Sequence, residues 1–310
     1  MPLGYEGKLY VLAFDHRGSF QKQLLGISGR PDEEETRRIA DAKQVILAGL
    51  VQAVESGIPP EWAGALVDEQ FGAAIAREAR SRGLLLAMPA EKSGQDEFDF
   101  EYGEDFGTHI ETFDPDFVKV LVRYNPEGDL EMNARQARRL CLLSEWLHER
   151  GRKFLFELLI PAERHQLERV EGDAGRYDRE VRPRLLLDTM KALRDAGVEP
   201  DVWKIEGLDS RDDCRRAAEV ARSGGRDGVV CVVLGRGASD EAVEHWLRQG
   251  AGVPGYVGFA IGRTFWWEPL VRYRDGEIDA AEAASAIAEK YRRMVDVYES
   301  ATREHARTAA

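Results

Sequence analysis

The stretch DVWKIEGL, Asp201 to Leu208, reads as a short buried strand with a charge inside it. Val202, Trp203, Ile205 and Leu208 suit a sheet, and Pro200 and Gly207 punctuate its ends. Lys204 sits in the middle, and Glu206, two residues on, faces the same side. A charged side chain is seldom fully buried without a partner or a function. The fold that gives Lys204 a place must also account for its neighbours.

Seven further runs resemble this one. They are LYVLAF (9–14), GALVDE (64–69), LLLAM (84–88), FVKVLV (117–122), KFLFELLI (153–160), VVCVVL (229–234) and GYVGFAI (255–261). Most are continuously apolar, as strands of a parallel sheet covered on both faces are. Amphipathic helical stretches separate them, among them 33–57, 132–151, 179–197, 210–225 and 239–250, and several end in glycine. A long closing helix runs from about Ala280 to about Glu304. Eight strands alternating with helices predict a single-domain (β/α)8 TIM barrel spanning 1–310. An open doubly wound sheet is the competitor, but no GxGxxG follows the first strand. Two connections are long, 89–116 after the third strand and 161–178 after the fifth. Both belong to the C-terminal face, where barrel active sites are built, and the Phe and Tyr in the first favour a folded lid.

Composition narrows the function. The chain has 310 residues, 43% hydrophobic and 32% charged, with a net charge of −13. That field is wrong for nucleic acid but leaves an anionic small molecule open, because a site can oppose the global charge. Three cysteines without CxxC spacing fit a reduced, cytoplasmic setting. No apolar run approaches membrane-spanning length. The oligomeric state is open, and a homo-oligomer is compatible with the sequence.

Within a barrel, the polar residues at the strand ends converge on one cavity. They are Asp15, Asp68, Lys119, Glu157, Lys204 and Glu206. Interior ion pairing is the plain reading of each one alone; recurrence at the same end of most strands favours a site. Lysines on strands four and six with Glu157 between them suit imine chemistry. A neutral lysine attacks a carbonyl, a carboxylate moves the protons, and the protonated imine accepts electrons from a breaking C–C bond. Gly235, Arg236 and Gly237 follow strand seven, and Gly262 and Arg263 follow strand eight, the usual phosphate position of a barrel. A metal-dependent mechanism is the rival, but of six histidines only His16 sits at a strand end, so neither a metal nor a cofactor is expected.

AFDHRGSF, LLLAMPAEKSGQDEF, FVKVLVRYNP, FLFELLIPAE, DVWKIEGL and IGRTFWW together resemble the class I aldolase barrels related to tagatose 1,6-bisphosphate aldolase. They are more similar still to the aldolase-like domain C-terminal to the sugar kinase in some 5-dehydro-2-deoxygluconokinase proteins of inositol catabolism. The resemblance runs from about residue 8 to about residue 270. It implies Lys204 as the Schiff-base lysine, Glu157 as proton shuttle, Lys119 as the strand-four lysine, Gly262 and Arg263 as the phosphate contact, and Asp15 as the first-strand aspartate. The chain departs from the tagatose type at strand seven, where Gly235-Arg236-Gly237 replaces a small Ser-Ala-Gly run. The extra guanidinium suggests a second anionic group on the substrate. The kinase-fused relatives imply 2-deoxy-5-keto-gluconate 6-phosphate, cleaved to dihydroxyacetone phosphate and malonate semialdehyde. An aldolase for tagatose 1,6-bisphosphate or a sulfofructose phosphate, or a non-catalytic sugar-phosphate-binding barrel, are the alternatives. The barrel reading takes up all 310 residues, so no kinase domain is expected within this sequence.

Overall fold

A computed structural model describes residues 2–308. Eight parallel strands close on themselves in chain order: β1 (Leu9–Ala13), β2 (Ala63–Leu66), β3 (Leu85–Pro89), β4 (Phe117–Arg123), β5 (Lys153–Leu159), β6 (Val202–Glu206), β7 (Val230–Leu234) and β8 (Tyr256–Ile261). The (β/α)8 barrel expected from the runs is the fold, and each observed strand lies within three residues of its run. The largest difference is at β2. It stops at Leu66, and two residues on, still in extended backbone, Asp68 caps the next helix.

The main helices are α1 (Glu33–Glu55), α2 (Glu69–Ser81), α3 (Phe106–Phe113), α4 (Leu130–Glu149), α5 (Arg182–Asp195), α6 (Arg211–Arg222), α7 (Asp240–Gly250), α8 (Arg263–Arg274) and α9 (Ala280–Thr308). Local chemistry sets their starts. Asp32 and Glu35 form a reciprocal capping box at α1, and Asp129 accepts the Met132 amide at α4, 2.9 Å away. The closing helix α9 lies along α1, and the two backbones come close at Gly49, where a Cβ would stand 2.8 Å from Ile287.

Inside the barrel the side chains change character with height. Leu9, Val11, Phe117, Leu155, Val202 and Val230 fill the lower layers. Two residues further along β4, β5 and β6 the inward positions become charged: Lys119 above Phe117, Glu157 above Leu155, Lys204 above Val202. At the opposite, N-terminal end, buried Asp201 accepts the Gly4 amide at 2.7 Å and the Phe154 amide at 2.8 Å and pairs with Lys153 at 3.1 Å. Asp201, just before β6, therefore closes the base, while Lys204 within β6 opens onto the cavity.

The 89–116 connection is ordered, as its aromatic residues suggest. Glu91 bridges to Phe100, and the rings of Phe98 and Phe100 pack on to Phe106, the first residue of α3, which meets Trp146 of α4. The 161–178 connection holds short helical turns, and Tyr177 packs down to donate to the Ile160 carbonyl at 3.1 Å. Among the described residues, no helix is long and apolar enough to cross a membrane.

Candidate active site

The charged inner layer lines a cavity of about 990 Å³ at the C-terminal face. Lys119 and Lys204 are each only 2% exposed. One oxygen, Glu157 Oε2, lies 3.0 Å from the Nζ of both. Parallel pairing of β4, β5 and β6 causes this: Glu157 sits beside Lys204 in register, and Lys119 reaches it from the other side. Glu206, the other carboxylate within two residues of Lys204, pairs elsewhere.

Lys119 has two more carboxylates, Asp15 Oδ2 at 2.7 Å and Glu91 Oε1 at 2.8 Å. Burial opposes its charge, but Asp15, Glu157 and Glu91 outweigh burial and hold its pKa well above the ordinary lysine value. Against the same burial, Lys119 and Lys204 hold Asp15 below the usual carboxylate range. Glu157 is also lowered, because Lys119 and Lys204 overcome its desolvation. Glu91 goes the other way: burial raises it, and Lys119 and Arg17 offset only part. Two neighbouring carboxylates are thus pushed apart, one toward the ion and one toward the acid.

His16 packs edge-on against Trp266, 5.3 Å between ring centres. Burial lowers its pKa to about 4 despite Asp15, so the imidazole is neutral at physiological pH. Arg17 donates to the Glu91 carbonyl at 2.6 Å and to Glu101 at 2.8 Å, tying the β1 end to the long connection. Buried polar atoms at the site remain without protein partners: His16 Nδ1, Arg17 Nε and Glu91 Oε2.

At the β7 and β8 ends, Arg236 and Gly237 adopt positive φ, 54° and 73°, which turns the chain sharply past the cavity. A side chain at Gly237 would also press on the Arg263 guanidinium, 3.0 Å away. Arg263 Nη2 donates to the Arg236 carbonyl at 3.1 Å. Gly262 precedes α8 directly and no side chain caps that helix, so its first amides face the mouth. Gly262 has a steric reason as well, since a Cβ there would collide with the Ala13 carbonyl.

Asp15, Lys119, Glu157, Lys204, Glu206, Arg236, Gly237, Gly262 and Arg263 all line this cavity, as their strand-end positions suggested. Asp68 does not. It accepts the Phe71 amide at 2.9 Å as the α2 cap and is ion-paired with fully buried Lys43. Lys43 also donates to the Phe14 and His16 carbonyls, so the pair props the β1 end from behind. Gly235 is set back too, packed on Ile261 and Val243. Arg236 does not offer a free charge, because Glu206 at 3.0 Å and Asp178 at 2.8 Å already hold it. Burial raises Glu206, with Arg182 and Arg236 opposing.

Sequence reasoning passed over Glu91, Arg17, Arg123 and Asp178. Glu91 stands two residues past the end of β3, and the strand-end rule applied there finds it. Arg123 is four residues beyond Lys119, hence on the same inward face. Asp178 carried no local signal. Overall eight Lys or Arg and five Asp or Glu line the cavity, a positive excess in an acidic chain. Among the described residues no group of three or more His, Cys, Asp or Glu side chains is arranged to hold a metal ion.

The barrel is similar to fructose-bisphosphate aldolase from Plasmodium falciparum, solved as a ternary complex with TRAP and a small-molecule inhibitor. The two align with a TM-score of 0.67 at 11% identity, over 94% of this chain and 91% of that one, a likeness of fold. No curated protein matches. A family model described as "Uncharacterized protein conserved in bacteria (DUF2090)" matches residues 5–302, nearly the whole barrel and all of the cavity lining. The chain belongs to that family.

Proposed function

We propose that the protein is a class I aldolase, a carbon–carbon lyase that cleaves a phosphorylated keto sugar acid through an imine on Lys204. The observation that carries this is the single Glu157 oxygen 3.0 Å from two buried amines at the mouth of a barrel. Lys119 has three carboxylates and keeps its proton. Lys204 has the one carboxylate contact, which leaves it the amine best placed to act as nucleophile.

The substrate favoured is 2-deoxy-5-keto-gluconate 6-phosphate, in a cytoplasmic setting. Lys204 Nζ attacks the C5 ketone, and a proton delivered through Glu157 lets the carbinolamine hydroxyl leave as water. Glu157, ionised again, takes the proton of the C3 hydroxyl. The C3–C4 bond breaks, its electron pair enters the iminium, and malonate semialdehyde departs. The enamine is protonated at C4, with Glu91 placed to hold a proton nearby, and water releases dihydroxyacetone phosphate and the free lysine. Lys119 and the neutral His16 face the developing charges, and Asp15 orients Lys119. Arg263 and the open α8 amides suit the phosphate, next to the imine carbon.

Borohydride reduction in the presence of dihydroxyacetone phosphate tests the reading. An adduct mapped by mass spectrometry to Lys204 supports it. No adduct, or one on Lys119, overturns the assignment. A panel of keto-acid phosphates, ketose bisphosphates and sulfonated ketose phosphates then ranks substrates, and faster turnover of a bisphosphate would displace the keto acid.

A further inference from the structure

Four of the cations that line the cavity, Lys22, Lys92, Arg123 and Arg263, form no ion pair among the described residues. Their placement is not uniform. Arg263 follows β8 and Lys22 follows β1, and these strands are neighbours. Arg123 ends β4 and Lys92 follows β3, also neighbours. In a closed eight-stranded barrel β4 and β8 are four strands apart either way round, hence on opposite walls. Lys204, on β6, is two strands from each. Unpaired positive charge therefore stands on two facing sides of the cavity, with the nucleophile position midway between them.

Arg123 is the anchored member of the far pair. It points inward with Lys119 and Leu121 and is half-buried. Its Nη1 donates to the Gln95 carbonyl at 2.8 Å, which fixes the guanidinium against the long connection and leaves its other N–H groups for a ligand. Arg236 is a poorer reader of a second anion on two counts. It follows β7, on the same side as Arg263, and it is already held by Glu206 and Asp178.

We infer that the cavity takes a linear substrate carrying an anionic group at each end, and that Arg123, not Arg236, reads the carboxylate end. This rests on the aldolase reading for which end is the phosphate, but its test needs no turnover. Two stable six-carbon phosphates differ only at carbon 1: 6-phosphogluconate has a carboxylate there and glucitol 6-phosphate a hydroxyl. Calorimetric binding to the wild-type protein should favour 6-phosphogluconate about tenfold, the low end for a charge-assisted fork at a half-exposed site. Arg123→Ala should erase that preference while leaving glucitol 6-phosphate binding unchanged, which also shows that the site remains folded. Arg123→Lys should restore part of it, and Arg236→Ala should keep it. The inference is overturned by equal binding of both ligands to the wild type, by a preference surviving Arg123→Ala, by a loss shared equally by both ligands, or by a preference abolished in Arg236→Ala. Absence of any borohydride adduct would sink the aldolase chemistry and leave this binding comparison standing.

Discussion

At the scale of single residues the two buried lysines are unequal. Lys119 compensates Asp15, Glu91 and Glu157 together, whereas Glu157 keeps Lys119 when Lys204 is removed. Lys204→Ala should therefore unfold near wild-type denaturant concentration and yet form no borohydride adduct. Lys119→Met leaves a cluster of buried carboxylates with too little counter-charge, and breaking a buried pair costs about 3–5 kcal/mol. Urea unfolding of the two variants should separate them clearly; equal stabilities would refute the unequal roles. Glu157→Gln keeps the size and loses the proton transfer, so kcat should fall about 10²–10⁴-fold with little change in KM. An unchanged kcat would make Glu157 only a partner of the lysines. Lys204, Glu157 and Lys119 were legible in the sequence because charges interrupt apolar runs at matching heights. The partners of Arg236 were not, since Asp178 comes from a connection whose path no periodicity reveals.

Elements were legible in proportion to their pattern. Strands that are apolar throughout announced themselves, and glycines marked helix ends. The end of β2 was placed too late, because Val67 continues the apolar run and the backbone stays extended through Asp68, which caps the next helix. The same ambiguity carried Asp68 into the expected site, although it serves α2 and Lys43 instead. Packing between elements is invisible to such patterns, and the α1–α9 contact shows it. Gly49→Ala would place a methyl 2.8 Å from Ile287 and 2.9 Å from the Ala284 carbonyl. Backbone on one side leaves little room to adjust, so the variant should lose about 1–3 kcal/mol as overpacked sites do. Thermal and urea unfolding read this directly, and an unchanged midpoint would mean that the helices separate freely.

For the whole molecule, the buried charges set how stability answers to pH. Asp15 and Glu157 have folded pKa values below their unfolded ones. Each contributes stability that is fully present above the unfolded carboxylate value of about 4 and is lost as pH falls through the folded value. Asp15→Asn should thus be less stable than the wild type at pH 7, by a margin that shrinks below about pH 4. A margin constant across pH 3–7 would contradict the lowered value. The closed sheet has a further consequence. Every barrel strand has two hydrogen-bonded neighbours, so among the described residues the barrel sheet has no edge to which another extended chain could add. A second copy or another protein would have to dock on outer helices or on connections at either end. Contacts at the C-terminal end would pass over the mouth of the cavity, so association there and access to Lys204 could not vary independently.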